Sequence, residues 1–135
     1  METMVNNAAV VAEMFDAFKR GDIDTLLSHM HPDITWTSSG TDPIAAAGTY
    51  RGREETTTFF SKLAKAVTFT EFDPQKIVNA DDHTVVAIGH FAGIVNASGK
   101  TFMSRFVMID EFDDDGLVTK FTDYFDTQNL ANAHL

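Results

Sequence analysis

The chain has 135 residues, is 44% apolar and contains no cysteine; this is enough for one domain, expected to span 1–135, with a core that needs no disulfide, and it excludes thiol nucleophiles and thiolate metal sites. Ten basic against twenty acidic residues leave a formal charge of −10, which repels phosphate backbones and anionic lipid, so neither nucleic acid nor a membrane is an expected partner. No basic segment precedes an apolar run and no stretch approaches the roughly 18 apolar residues of a membrane span, so the expected location is cytoplasmic.

Val5, Ala8, Ala12, Phe15 and Phe18 recur at helical spacing until Lys19-Arg20-Gly21, which supplies a basic last turn and a terminating glycine. Asp22 then caps a short second helix carrying Ile23, Leu26, Leu27 and Met30, ended by His31-Pro32. Ile34-Thr35-Trp36-Thr37 alternates and is β-branched or aromatic, so it predicts a strand. Residues 38–52, rich in Ser and Gly, read as a long loop. A third helix is predicted over 53–66, with Thr56, Phe59, Phe60, Leu63 and Val67 at helical spacing.

From residue 67 the period becomes two. Strands are expected over 67–79, 83–96, 100–112 and 117–126, separated by turn-like 80–82, 97–99 and 113–116, with a short helix over 127–133. The acidic run 110–115 lacks calcium-loop ligand spacing and reads as a solvated hairpin turn. Helices followed by a run of strands give an α+β order, with helices packed on one face of a curved sheet. Twelve Phe against two Tyr and one Trp point to a dense aromatic core or a lined cavity.

The element order, with His31-Pro32-Asp33-Ile34-Thr35-Trp36, Tyr50-Arg51-Gly52-Arg53-Glu54 and Gly116-Leu117-Val118 leading to Asp123-Tyr124-Phe125-Asp126, resembles the nuclear-transport-factor-2-like superfamily, and within it the ketosteroid-isomerase and SnoaL-type polyketide-cyclase relatives. The resemblance spans nearly the whole chain. It implies a cone-shaped α+β barrel: three N-terminal helices packed on a strongly curved, mostly antiparallel sheet, a conical apolar pocket, and a homodimer through the outer sheet face. The fold hosts isomerases, cyclases, dehydratases, epoxide hydrolases and non-catalytic binders, so function must come from the site.

Matching the last strand to the family pattern points Phe121, Asp123 and Phe125 inward and Lys120, Thr122 and Tyr124 outward. The same alternation predicts inward Ser104, Phe106 and Met108 on the strand before, and Gly89, Phe91 and Gly93 on the strand at 83–96, with His90 on the opposite face. Trp36 and Ser38 are expected to point inward from the first strand, and Met14, Phe15, Phe18, Phe59, Phe60 and Leu63 to face the sheet from the helices. Asp123 among Phe rings is the expected proton-transfer group, because desolvation disfavours its ionised form; the competing reading is a carboxylate satisfied by a neighbouring Trp, Tyr or Ser.

The resemblance also marks departures. The epoxide-hydrolase branch needs an Arg and a second Asp on the strand at 83–96, where this chain has Gly89 and Phe91. The ketosteroid-isomerase base, tyrosine and oxyanion acid fall near Ser38, Met14 and Met108, with Asp42 of Asp42-Pro43 as a secondary base candidate. The cyclase resemblance rests on His90-Phe91-Ala92-Gly93-Ile94 followed by Ser98-Gly99-Lys100. Tyr50 reads as a hydroxyl donor at the cavity mouth or a loop anchor. His29, His31 and Asp33 straddle a helix end and a proline with no remote fourth ligand, so no metal is expected. The expected protein is a cofactor-independent isomerase, cyclase or dehydratase acting on a compact hydrophobic carbonyl or polycyclic ligand. The alternatives are a carrier of apolar small molecules and a dimerising module with a vestigial pocket.

Overall fold

The structure is a computed structural model that describes residues 6–135; Val5, expected on the first helix, lies outside the described residues. Helix α1 (Asn7–Arg20) starts where the Asn6 side chain accepts from the Ala9 N–H and ends at Gly21, whose φ of 71° is the left-handed turn the sequence signalled. Asp22 caps α2 (Ile23–Ser28), accepting from the backbone N–H of Thr25 at 3.1 Å and from its hydroxyl at 2.6 Å.

Strand β1 (Met30–Ser38) begins earlier than the alternating residues predict, taking in His31 and Pro32. The expected loop contains a strand, β2 (Gly48–Arg51), paired antiparallel to β1 with Trp36 opposite Tyr50. Four residues are too few to carry a period-two signal. Helix α3 (Gly52–Ala66) follows directly, then β3 (Val67–Asn79), β4 (Thr84–Val95), β5 (Thr101–Phe112), β6 (Val118–Phe125) and α4 (Thr127–Ala133).

The six strands form one sheet in the order β2-β1-β6-β5-β4-β3. Only the β1–β6 pair is parallel. The sheet is curved and unclosed, with β2 and β3 as its edges, and α1 and α3 pack into its hollow.

The bend has a local cause. Strand β3 shifts register between Phe69 and Glu71 and again between Pro74 and Lys76, and at these irregularities Phe69 pairs with Gly93 and Pro74 with Gly89. A Cβ at Gly89 would lie 2.7 Å from Phe106 Cζ and collide with the Asp73 carbonyl; one at Gly93 would lie 2.8 Å from Phe102 Cζ and collide with the Thr68 carbonyl. Bulges bend strands, and glycine is what allows backbone and ring to meet there.

Candidate active site

Alternation along the strands builds the cavity wall. On β4 every second residue from Val85 to Val95 is buried, including Gly89, Phe91 and Gly93, while His90 and its parity mates are only partly covered. Strands β5 and β6 repeat the pattern, with Met108 directly opposite Asp123. The result is a cavity of ≈ 110 Å³ lined by Met14, Phe15 and Phe18 of α1, by Phe59, Phe60 and Leu63 of α3 and by Leu130 of α4. Trp36 lies stacked on Phe121, with centroids 3.6 Å apart and planes within 14°. Apart from the Trp36 indole, the polar side chains of the lining are Ser38, Asp110 and Asp123. A groove beside α2 and α3 shares Phe18, Phe60, Leu63, Val67 and Phe69 with the cavity, so these side chains stand between the cavity and the outside.

Asp123 is 6% exposed, and both its carboxyl oxygens are held: Ser38 Oγ donates to Oδ2 at 2.8 Å, and the Ser39 N–H donates to Oδ1 at 2.7 Å. The Ser39 hydroxyl donates to the Asp123 backbone carbonyl. The end of β1 is thereby tied to β6 at the carboxylate. Burial pushes the Asp123 carboxyl up to about 6, and the two hydrogen bonds, which favour the charged form, limit the rise.

Asp110 is the residue the sequence reading missed. Its position in the acidic run suggested a solvated turn, yet the turn itself is 113–116, where Asp113 Oδ1 accepts from the N–H groups of Asp115 and Leu117. Asp110 lies on β5 with the parity of Phe106 and Met108, is 3% exposed and lines the cavity. Among the described residues no donor reaches its carboxyl, and burial alone pushes it up to about 7. Trp36 Nε1 is, with His134 Nε2, a buried side-chain nitrogen without a hydrogen-bond partner among the described residues.

Trp36, Ser38, Phe91, Met108, Phe121, Asp123, Phe125, Met14, Phe18 and Phe59 all line the cavity. Three expected lining residues do not. Phe106 has inward parity but is 1% exposed behind the wall, its ring stacked on Phe91 at 5.7 Å and 16°. Ser104 is engaged at the start of α4: its hydroxyl donates to the Arg105 carbonyl and accepts from the Asp126 N–H. Tyr50 is an anchor, its hydroxyl donating to the Ala46 carbonyl at 3.0 Å.

The other candidates lie away from the cavity. His90 faces outward against Glu71, at 2.7 Å, and Gln75. Asp42 is in an exposed turn. His29 pairs with Glu13 at 2.6 Å, whereas His31 Nδ1 accepts from the Asp33 N–H. Among the described residues no three His, Asp or Glu side chains converge as metal ligands, and none of their helices is long and apolar enough to cross a membrane.

A cavity between helices and the hollow of a curved, open sheet defines the NTF2-like cone class. An NTF2-like protein of Burkholderia xenovorans LB400 superposes with a TM-score of 0.85 at 30% identity, over 96% of this chain and 95% of that one. TerC, crystallised with polyporic acid, matches at TM-score 0.82 and 24% identity over 95% and 97% of the two chains. A protein of Xanthomonas campestris pv. campestris described as a candidate polyketide cyclase matches at 0.76 and 18% identity over 98% and 100%. The SnoaL-like domain matches residues 11–121, and the chain belongs to that family. A comparison with curated protein sequences finds no match.

Proposed function

We propose that the protein is a small cofactor-independent enzyme of the isomerase, cyclase or dehydratase type, acting on a compact hydrophobic carbonyl or polycyclic ligand, with Asp123 moving the proton. The observation that carries this reading is a carboxyl fixed by two donors at the wall of an aromatic cavity and raised to about 6. A base with that value is mostly ionised at neutral pH and still accepts a proton readily from an activated C–H. Ser38 and Trp36 would orient polar atoms of the ligand, and the Phe side chains would keep water from the reacting carbon. TerC, which shares this fold, was crystallised with polyporic acid, and that supports a search for small organic ligands here.

The test uses β-tetralone, a neutral bicyclic ketone, whose α-proton exchange in D2O is followed by NMR. Asp123→Asn is expected to slow exchange by about 10²- to 10⁴-fold while leaving the ketone's Kd within about threefold. Equal loss of binding and exchange, or loss of neither, overturns the reading. A carrier of apolar small molecules is favoured by the same two hydrogen bonds, since they leave neither Asp123 oxygen without a partner; it predicts binding without exchange.

A homodimer through the convex sheet face belongs to this proposal. Met103 and Tyr124 are 67% and 51% exposed there, beside the half-buried aliphatic residues Val107 and Ile109. Light scattering should report twice the chain mass, and Tyr124→Glu should shift it toward the monomer.

A further inference from the structure

Asp110 is 3% exposed on the cavity wall, and among the described residues no donor reaches its carboxyl. Buried carboxyls are nearly always paired, so one without a partner calls for an explanation. Folding alone does not supply one, because a Val or Met at this position would pack without the desolvation cost. Asp123 on the neighbouring strand already has its partners, the Ser38 hydroxyl and the Ser39 N–H.

The surroundings of Asp110 select the charge of a ligand that would complete it. Among the described residues the lining holds no Lys, Arg or His, so an anion would meet two acids and no counter-charge. A cation meets the reverse. Asp110 pairs across the sheet with Phe121, which pairs in turn with Trp36 and lies stacked on it, so carboxyl and rings stand in one row on the concave face. Aromatic faces attract a cation within about 6 Å, an indole most of all, and more strongly where water is excluded. Leaving water is costly for a lone ammonium ion, and a facing carboxylate in a dry site offsets that cost. The formal charge of −10 also raises the local concentration of cations around the molecule.

We propose that the cavity binds a lipophilic amine as its ammonium ion, with Asp110 as the counter-ion and the surrounding rings, Trp36 and Phe121 first among them, holding the apolar body. This goes beyond the proton-transfer reading of Asp123 and does not depend on it. Capture has a definite proton balance. Burial raises the Asp110 carboxyl to about 7, so below that value the unliganded protein carries Asp110 as the acid. An entering ammonium ion then sends the carboxyl proton to solvent: the O–H bond breaks, its electron pair stays on the carboxylate, and the ammonium N–H donates to that oxygen. Well above that value Asp110 is already ionised, and binding releases no proton. Asp123 on β6 is the other titratable side chain of the lining among the described residues; the lining positions of β1, β3, β4 and the four helices contribute none.

The test compares three one-ring ligands of similar shape and different charge, benzylamine, benzyl alcohol and benzoate, by calorimetry at about 0.15 M salt, where attraction to surface charge is screened. At about pH 8 benzylamine should bind roughly 30-fold or more tighter than benzyl alcohol, with benzoate weakest. Its affinity should fall about 30-fold from pH 8.5 to pH 5.5, and buffers of different ionisation enthalpy should report about one proton released per ligand at pH 5.5 and almost none at pH 8.5. Asp110→Asn should weaken benzylamine by about 30-fold or more, abolish the proton release and change benzyl alcohol no more than about threefold; Asp123→Asn should weaken benzylamine less than about fivefold. The ligand series on the wild type carries the test if Asp110→Asn does not fold. Benzyl alcohol binding as tightly as benzylamine overturns the inference, as does benzylamine that fails to bind at millimolar concentration, releases no proton at pH 5.5 or binds Asp110→Asn unchanged. The β-tetralone exchange is read separately: amine binding absent with exchange intact overturns this inference alone, and amine binding without exchange overturns only the reading of Asp123.

Discussion

The concave and convex faces of this sheet are built by the same strands, one residue out of step, and they handle charge in opposite ways. On the convex face His90 meets Glu71 and Asp73, and Lys120 lies 3.9 Å from Glu111, all with substantial exposure. On the concave face the charged side chains lining the cavity are two acids, one held by a hydroxyl and an amide and one without a partner among the described residues. Outside, such polar pairs form in contact with water and contribute little. Inside, solvent exclusion tunes the groups, so a carboxyl can be made to hold its proton without any neighbour specifying it.

Removing the inner charge should have the largest effect. The rise of Asp110 from 3.8 to about 7 means that the folded chain binds more protons than the unfolded chain between those values, so stability falls as pH rises through them. The full effect is roughly 4 kcal/mol, present below about pH 4 and lost by about pH 8. Asp110→Asn should therefore flatten the decline, and the gap from wild type in urea titrations should widen from pH 5 to pH 8. A constant gap would show that desolvation does not set the inner face apart.

Next comes Gly89→Ala, which drives a methyl toward Phe106 and the Asp73 carbonyl where the sheet bends. It should cost about 2–3 kcal/mol, read as a lower Tm, whereas Gly99→Ala in an open turn meets no neighbouring atoms and should lose less. Ser38→Ala removes one donor from Asp123. It should cost about 1 kcal/mol, and the acid limb of the pH–exchange profile should move upward, because a bond favouring the charged form is gone. The smallest change is expected outside: Lys120→Gln should alter stability by no more than about 0.5 kcal/mol. A larger loss would erase the contrast between the faces.

The fold was legible because its signals are long. The stripe from Ala8 to Phe18 and the alternation from Val85 to Val95 each repeat several times, and hydrophobic period is set by burial on one face. Strand β2 was not legible, since two of its four residues are exposed and only Tyr50 is fully buried. The cavity was readable in direction but not in depth: Phe106 and Met108 share a parity, yet Phe106 is covered by the rings of Phe15, Phe72 and Phe91 while Met108 lines the cavity. Asp110 was hidden by its neighbours in sequence. Glu111 and Asp113 to Asp115 made it look like part of a hydrated turn, although two-residue steps from Phe106 and Met108 place it inward. A charge inside a strand should be assigned by parity before it is assigned by composition.

The stacked indole has an optical consequence. Trp36 is the one tryptophan of the chain, it lines the cavity, and its Nε1 has no hydrogen-bond partner among the described residues. Tryptophan emission from this protein therefore comes from a single ring, lying on Phe121 in the wall that a ligand would touch. Its emission should sit to the blue of free tryptophan and change when the cavity fills, making the chain its own fluorescent gauge of occupancy without a label.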